Sequence, residues 1–318
     1  MQARDWLERR QIGLYALALA VGGSAGAAWP TAAGLQAWIT PALAVMLFAT
    51  FLQVPLRALR DLAGRGRFLA CLLCANFVLV PLLAAVAARF SPADDLVRLG
   101  VLLVLLTPCI DYVVTFAHLG RADARALLAA TPVLLLAQVL LLPLYLGLLL
   151  DEPAHSLVQW APFLDAFVWL IVVPLVLAGV VQGLSRRSAR VAALESRLGL
   201  LPVPATAMVL CLVVASVVPQ LDGLGALVLQ LVPVYAAFAL LAPLAGWAAA
   251  RAFRLAAPQA RAVCFSAGTR NSLVVLPIAL AVPGAMPVLP AVIVTQTLVE
   301  LLAELIYVRA IPRLPFRR

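Results

Sequence analysis

Apolar runs of about twenty residues recur along almost the whole chain, each long enough to cross a bilayer and each ended by a short polar or basic stretch. In lipid every backbone N–H and C=O needs a partner within the protein, so such runs have little choice but to fold as membrane-spanning helices. Ten can be read, over 12–29, 36–55, 68–88, 97–118, 125–149, 163–184, 200–218, 226–249, 261–282 and 288–309. Together they consume most of the 318 residues. With 65% of residues hydrophobic and 12% charged, a soluble globular domain is excluded, and the expectation is one all-α transmembrane domain over 1–318. The apolar run after Arg4, Arg9 and Arg10 resembles a signal peptide, with Ala25-Gly26-Ala27 as a small-residue site. It reads as a span instead, being long enough to cross and followed by further membrane segments.

The net charge of +9 comes from 23 arginines and no lysine, and their placement argues for topology rather than for nucleic acid. Arg57, Arg60, Arg65 and Arg67 follow span two, Arg121 and Arg125 span four, Arg186, Arg187, Arg190 and Arg197 span six, and Arg251, Arg254 and Arg261 span eight. Adding the N-terminal arginines and Arg309, Arg313, Arg317 and Arg318, 20 of the 23 fall on one face, against Arg89 and Arg98 on the other. The positive-inside rule then makes both termini cytoplasmic, in a multi-pass protein of the cell (inner) membrane. Cys71, Cys74, Cys109, Cys211 and Cys264 all lie in apolar stretches, which does not suit a secreted disulfide framework.

Two spans carry polar residues at depths where these are expensive. Span four contains Thr107-Pro108-Cys109-Ile110-Asp111-Tyr112, and span nine contains Ser266-Ala267-Gly268-Thr269-Arg270-Asn271-Ser272. Pro108 removes a backbone donor and Gly268 tolerates conformations closed to other residues, so both positions can open a helix. Each is the fourth member of a set of five. The pattern predicts two inverted five-helix repeats, roughly 12–149 and 163–309, with broken helices four and nine and a substrate site near the midplane where the breaks meet.

These residues, with Pro108 to Val114, Gly120-Arg121-Ala122-Asp123, Gly268 to Ser272 and Thr297-Leu298-Val299-Glu300, resemble the superfamily of bile acid:sodium symporters and arsenical-resistance-3 arsenite permeases. The resemblance covers essentially the whole chain. Its sodium-coupled branch carries hydroxyl and amide sodium ligands after the span-four break, and a Glu and a Gln around the span-nine break. Here those places hold Val113 and Val114, then Ser266 and Arg270, so the resemblance implies no sodium coupling. The arsenite branch carries a Cys in the broken fourth helix and a Glu in the last, which Cys109 and Glu300 match. In span nine that branch usually shows Asn-Asn-Phe-Glu against Arg270-Asn271-Ser272-Leu273 here, which implies a divergent arsenic-resistance-type member.

The residue chemistry runs in parallel. Cys109 offers one thiol to trivalent arsenic, as substrate rather than as a resident metal, and a single sulfur permits release. Cys71, Cys74, Cys211 and Cys264 read as small buried hydrophobes. Arg270 is permanently charged and needs an anionic partner, with Asp111, Glu300 and Glu304 as candidates. Its guanidinium either replaces the sodium ion of relatives or binds an anionic substrate. Glu300 is the expected proton carrier, since a carboxylate whose surroundings alternate can take a proton on one side and release it on the other. Asn271 and Ser272 supply hydrogen bonds to substrate or cap the resumed helix, capping being favoured for Ser272. Thr107 is placed similarly, while Gln138, Thr297 and Glu304 read as interhelical or structural groups. His118 and His155 fall near opposite surfaces. No HExxH, paired CxxC, GxSxG or P-loop is present, so neither ATP-driven transport nor an enzyme is supported and no cofactor is expected.

The function expected is proton-coupled efflux of arsenite or antimonite. The alternative is a sodium-independent organic-anion carrier with Arg270 as the anion contact, and the remote one an intramembrane enzyme. The expected partners are a small-molecule substrate, protons and membrane lipid, and no nucleic acid.

Overall fold

The structure, a computed structural model, describes residues 2–53, 64–110, 112–150, 168–220 and 224–316. Its regular elements are helical: α1 (Gln2–Ala28), α2 (Gln36–Leu52), α3 (Gly66–Phe90), α4 (Asp95–Leu105), α5 (Val113–Leu119), α6 (Ala124–Leu149), α7 (Val173–Ser185), α8 (Ala189–Leu198), α9 (Pro202–Val217), α10 (Gly225–Ala252), α11 (Ala257–Gly268), α12 (Ser272–Leu280) and α13 (Val288–Ala310). Among the described residues five helical stretches are long and apolar enough to cross a membrane: Pro30–Leu52, α3, α6, α10 and Val288–Arg313. A sixth arises if α8 and α9, bent by 41°, form one span. Shorter apolar helical stretches, Gly13–Ala28 within α1 and Val173–Ser185, stand beside these. Helix stops at Leu105 and resumes at Val113, and it stops again at Gly268 and resumes at Ser272. Large apolar side chains face outward along the long helices, among them Leu140 at 75% and Leu302 at 66% exposure. Apolar surface of that kind suits acyl chains, and the protein is a multi-pass integral membrane protein.

The chain forms two compact units, each drawing on both halves of the sequence. One comprises Met1–Val54, Gln159–Gly225 and Leu276–Ala291. In it α1 lies against α9 through Gly22 and Gly26, a four-residue small spacing that lets backbones approach. A Cβ on Gly22 would stand 2.6 Å from the Cys211 carbonyl oxygen, and one on Gly26 2.8 Å from that of Ala215. The Gln182 amide donates to the Leu52 carbonyl at 3.1 Å, covering a group that the end of α2 leaves orphaned. The segment carrying Arg190, Glu195 and Arg197 is not a loop but the short helix α8, with none of its residues buried.

The second unit comprises Pro55–Val158, Ala226–Val275 and Val292–Arg318. Asp123 caps α6 by accepting from the Ala126 N–H at 3.0 Å, and pairs with Arg65 at 2.6 Å. The Arg121 backbone is left-handed, with φ of 56°, which gives the Gly120–Asp123 stretch the shape of a tight turn before that cap. Within α3 the ladder widens to a π turn over Ala75–Leu79. Such turns release backbone regularity and often sit at functional positions. Here the turn contains Asn76, which is fully buried.

Candidate functional site

The two helix interruptions in the second unit cross each other. Pro108 and Arg270 form an isolated antiparallel bridge, in which the Cys109 N–H donates to the Thr269 carbonyl at 3.1 Å and the Asn271 N–H to the Thr107 carbonyl at 2.8 Å. Opening a helix in an apolar interior strands backbone donors and acceptors, and the crossing lets each interruption satisfy the other. Pro108 lacks an N–H, so no donor is stranded there. Thr107 folds its hydroxyl back onto the Leu103 carbonyl at 2.8 Å. Gly268 ends α11 where a Cβ would stand 2.8 Å from Pro243 and 2.8 Å from the Tyr307 ring. No larger residue fits that position without displacing one of them.

Arg270 lies at the crossing with 0% exposure. Its Nη2 donates to Asn76 Oδ1 at 2.9 Å, to the Ala267 carbonyl at 3.0 Å and to the Ser266 carbonyl, while Nη1 reaches the Leu105 carbonyl at 3.4 Å. Leu105 ends α4, and Ser266 and Ala267 lie in the last turn of α11, so the guanidinium sits on the negative dipole ends of both interrupted helices. Among the described residues no carboxylate is in ion-pair contact with it, and its Nε has no acceptor. Among the described residues the acceptors of its side chain are carbonyl and amide oxygens, while Glu300, one of the carboxylates expected from the sequence, meets its backbone N–H. Asp111, one of those candidates, lies outside the described residues.

Glu300, 2% exposed, meets the crossing from α13. It accepts from the Arg270 backbone N–H at 2.7 Å, from Gln296 Nε2 at 2.6 Å and from the Tyr112 hydroxyl at 2.5 Å. The same hydroxyl lies 2.9 Å from the Arg270 carbonyl. One turn further on, Glu304 is fully buried and touches the Thr269 hydroxyl, which also lies 2.7 Å from the Phe265 carbonyl. A cavity of about 10 Å³, room for a single water, opens beside Glu300 and Gln296 under Gly268 and Tyr235.

Capping of α12 falls to Asn271, whose Oδ1 accepts from the Val274 N–H at 3.2 Å, and not to Ser272, which is bonded to the Thr297 hydroxyl at 2.8 Å. The Asn271 amide nitrogen has no acceptor among the described residues. Cys109 is fully buried in the crossing, and all five cysteines are thiols. Gln138 is buried in α6, His118 stands in the last turn of α5, and His155 lies outside the described residues. No group of three or more His, Cys, Asp and Glu suited to a metal ion occurs among the described residues.

Sequence reasoning missed Asn76, Tyr112, Gln296 and Thr269. Asn76 stands in an otherwise apolar run, and the rule that singled out Arg270 applies to it equally. Its amide donates to Leu72 and to the Ser266 hydroxyl while its carbonyl oxygen holds Arg270, so it ties α3 to α11. Residues 40–227 of the chain match the model of the Sodium Bile acid symporter family. No curated protein matches the chain.

Proposed function

The chain belongs to the Sodium Bile acid symporter family, and we propose that it is a secondary carrier that moves an organic anion across the membrane with protons in place of sodium. Membership of a transporter family makes it a carrier and not an enzyme. The observation that carries the reading is Arg270, a fully buried guanidinium at the crossing of two interrupted helices, solvated by carbonyl oxygens and free of any described carboxylate in ion-pair contact.

Those carbonyls are the ligands a hard cation would choose. A tethered positive charge among them removes the need for sodium and holds the ends of α4 and α11 together. It also leaves Nε–H for an anionic substrate. Protonating Glu300 takes a negative charge away from beside Arg270, so the anion binds best together with a proton and the two travel in the same direction. Asn271, Ser272 and Cys109 line this site in the reading, and Asp111, outside the described residues, is the further candidate. The halves 12–149 and 163–309 are taken as inverted repeats with the breaks in their fourth members. That is supported by the way each compact unit draws on both halves. Both termini are cytoplasmic in this arrangement, on the arginine count.

The buried Cys109 thiol at the same crossing favours a second reading, efflux of arsenite or antimonite. Arsenite is neutral near pH 7, so it would exchange with protons, entering protons driving it out with Glu300 as the carrier. The two readings therefore differ in the sign of coupling. Proteoliposomes containing the protein are loaded with a labelled bile acid or with arsenite, under a pH gradient, in sodium and in choline. Organic-anion movement with the proton flux, equal in the two salts and retained in Cys109→Ala, supports the first reading. Arsenite movement against the proton flux, abolished by Cys109→Ala, supports the second. A strict sodium requirement refutes both.

A further inference from the structure

We propose that Glu304 is a second proton-binding carboxyl of the site, a neutral acid in the state of this structure, with Thr269 as the hydroxyl that accommodates both of its protonation states. The inference rests on the proton-coupled reading and extends it to a group that reading leaves unused.

A hydroxyl carries one proton. Thr269 Oγ1 lies 2.7 Å from the Phe265 carbonyl and touches Glu304 Oε1, and an ionised Glu304 would present it with two acceptors. If Glu304 is protonated, its O–H donates to Thr269 Oγ1, Thr269 donates to Phe265, and both contacts are satisfied. When the proton leaves, the Thr269 hydroxyl turns to the carboxylate, and the Phe265 carbonyl keeps the Thr269 backbone N–H it already accepts at 3.0 Å.

The two carboxyls on α13 are provisioned differently. Glu300 accepts two N–H groups on Oε2, from Arg270 and Gln296, and meets the Tyr112 hydroxyl on Oε1. That hydroxyl also lies 2.9 Å from the Arg270 carbonyl, so the proton count of the hydroxyl does not separate the two carboxyls, and the two N–H donors on Oε2 do. Glu304 is equally enclosed, yet its Oε2 has no donor among the described residues. A carboxylate oxygen without a donor in an apolar interior is costly, whereas the carbonyl oxygen of a neutral acid tolerates that position. Among the described residues the charged and titratable groups that interact with it are Glu300 and Tyr307 on α13, and both of these interact in turn with Arg270 after α11. Arg270 is the one cation in that set, and Glu300 is the carboxylate hydrogen-bonded to its backbone.

An independent feature supplies a route for the proton. Gln296, 3% exposed, has an Oε1 with no partner among the described residues and lines the small cavity that Glu300 and Gly268 also border. An acceptor waiting beside a water-sized space that Glu300 borders fits a water that exchanges a proton with Glu300, one helical turn from Glu304.

Infrared spectra of the full chain in lipid test the assignment, because a protonated carboxyl shows a C=O stretch above the amide band. The expected result at neutral pH is such a band in wild type and in Glu300→Gln, its loss in Glu304→Gln, and its reversible disappearance at alkaline pH. A band indifferent to Glu304→Gln, or none at all, overturns the proposal. If Glu304→Gln does not fold, Thr269→Val replaces it: loss of the acceptor should move the band to higher frequency, and an unmoved band is equally fatal. The spectrum reads Glu304 without any transport, so a carrier assay that finds no proton coupling refutes the Glu300 reading while the band still decides Glu304.

Discussion

Replacing Arg270 with alanine asks whether a guanidinium has taken over the structural work of a bound cation. In the native protein it donates to three carbonyls and to Asn76 Oδ1. Hydrogen bonds to a charged group are worth about 1.5–3 kcal/mol each, which gives a gross figure of roughly 6–12 kcal/mol for four. Burying the ion costs several kcal/mol, which offsets much of that gain, while each buried carbonyl left without its donor costs about 1–3 kcal/mol. Against a total stability of about 5–15 kcal/mol, the variant should melt well below wild type in detergent or lipid. The discriminating measurement is its salt dependence. The substitution leaves a cavity bordered by carbonyl oxygens, and sodium entering it with water should restore part of the loss. Sodium at ten times its dissociation constant would return about 1.4 kcal/mol, visible as a melting point that rises with sodium and not with choline. Wild type should show no such dependence. An Arg270→Ala protein as stable as wild type, or one indifferent to sodium, refutes the idea that the guanidinium stands in for an ion.

Two further outcomes are expected. Glu300→Gln keeps the hydrogen-bonding shape but cannot cycle a proton, so pH-driven transport in vesicles should fall to background while substrate binding survives; undiminished pH-driven transport would sink the coupling assignment. Gly22→Ala places a methyl 2.6 Å from a backbone oxygen of α9 that cannot yield without moving the helix, and should cost about 1–3 kcal/mol in thermal or denaturant unfolding. An unchanged unfolding midpoint would mean that α1 and α9 are not in close contact in solution.

The parts of this protein that were legible in its sequence are those with an energetic anomaly attached. Pro108, Gly268 and Arg270 stand out because polar or helix-opening residues are rare in apolar runs, and the structure interrupts its helices at those places. The long stretches 125–149 and 226–249 were readable because their apolar runs hold no charged residue past Arg125, and they correspond to α6 and α10, which continue through Pro132 and Pro143 and through Pro233 and Pro243. What holds Arg270 was not readable. A search for charge partners looks to carboxylates, whereas the oxygens that receive its guanidinium are mostly helix-end carbonyls, which every residue possesses and no sequence pattern advertises. Tyr112 stands in the span-four stretch without a role of its own in the sequence, because its hydroxyl acquires one only once α13 brings Glu300 to it. Arg190 and Arg197 were legible as a basic stretch after span six, yet charge placement reports sidedness and not conformation, and that stretch is helical.

The bridge between Pro108 and Arg270 also bears on how the chain is made. Its two strands are about 160 residues apart, so at roughly 5–20 residues per second the earlier one waits on the order of ten seconds for its partner. Throughout that interval the Cys109 N–H and the Thr107 carbonyl lack the partners that the bridge gives them, in a segment otherwise apolar enough to enter lipid. The nascent first half is thus an unfinished object that water, the insertion machinery or a chaperone must shelter. Biogenesis, and not only transport, constrains what residues these two short stretches can hold.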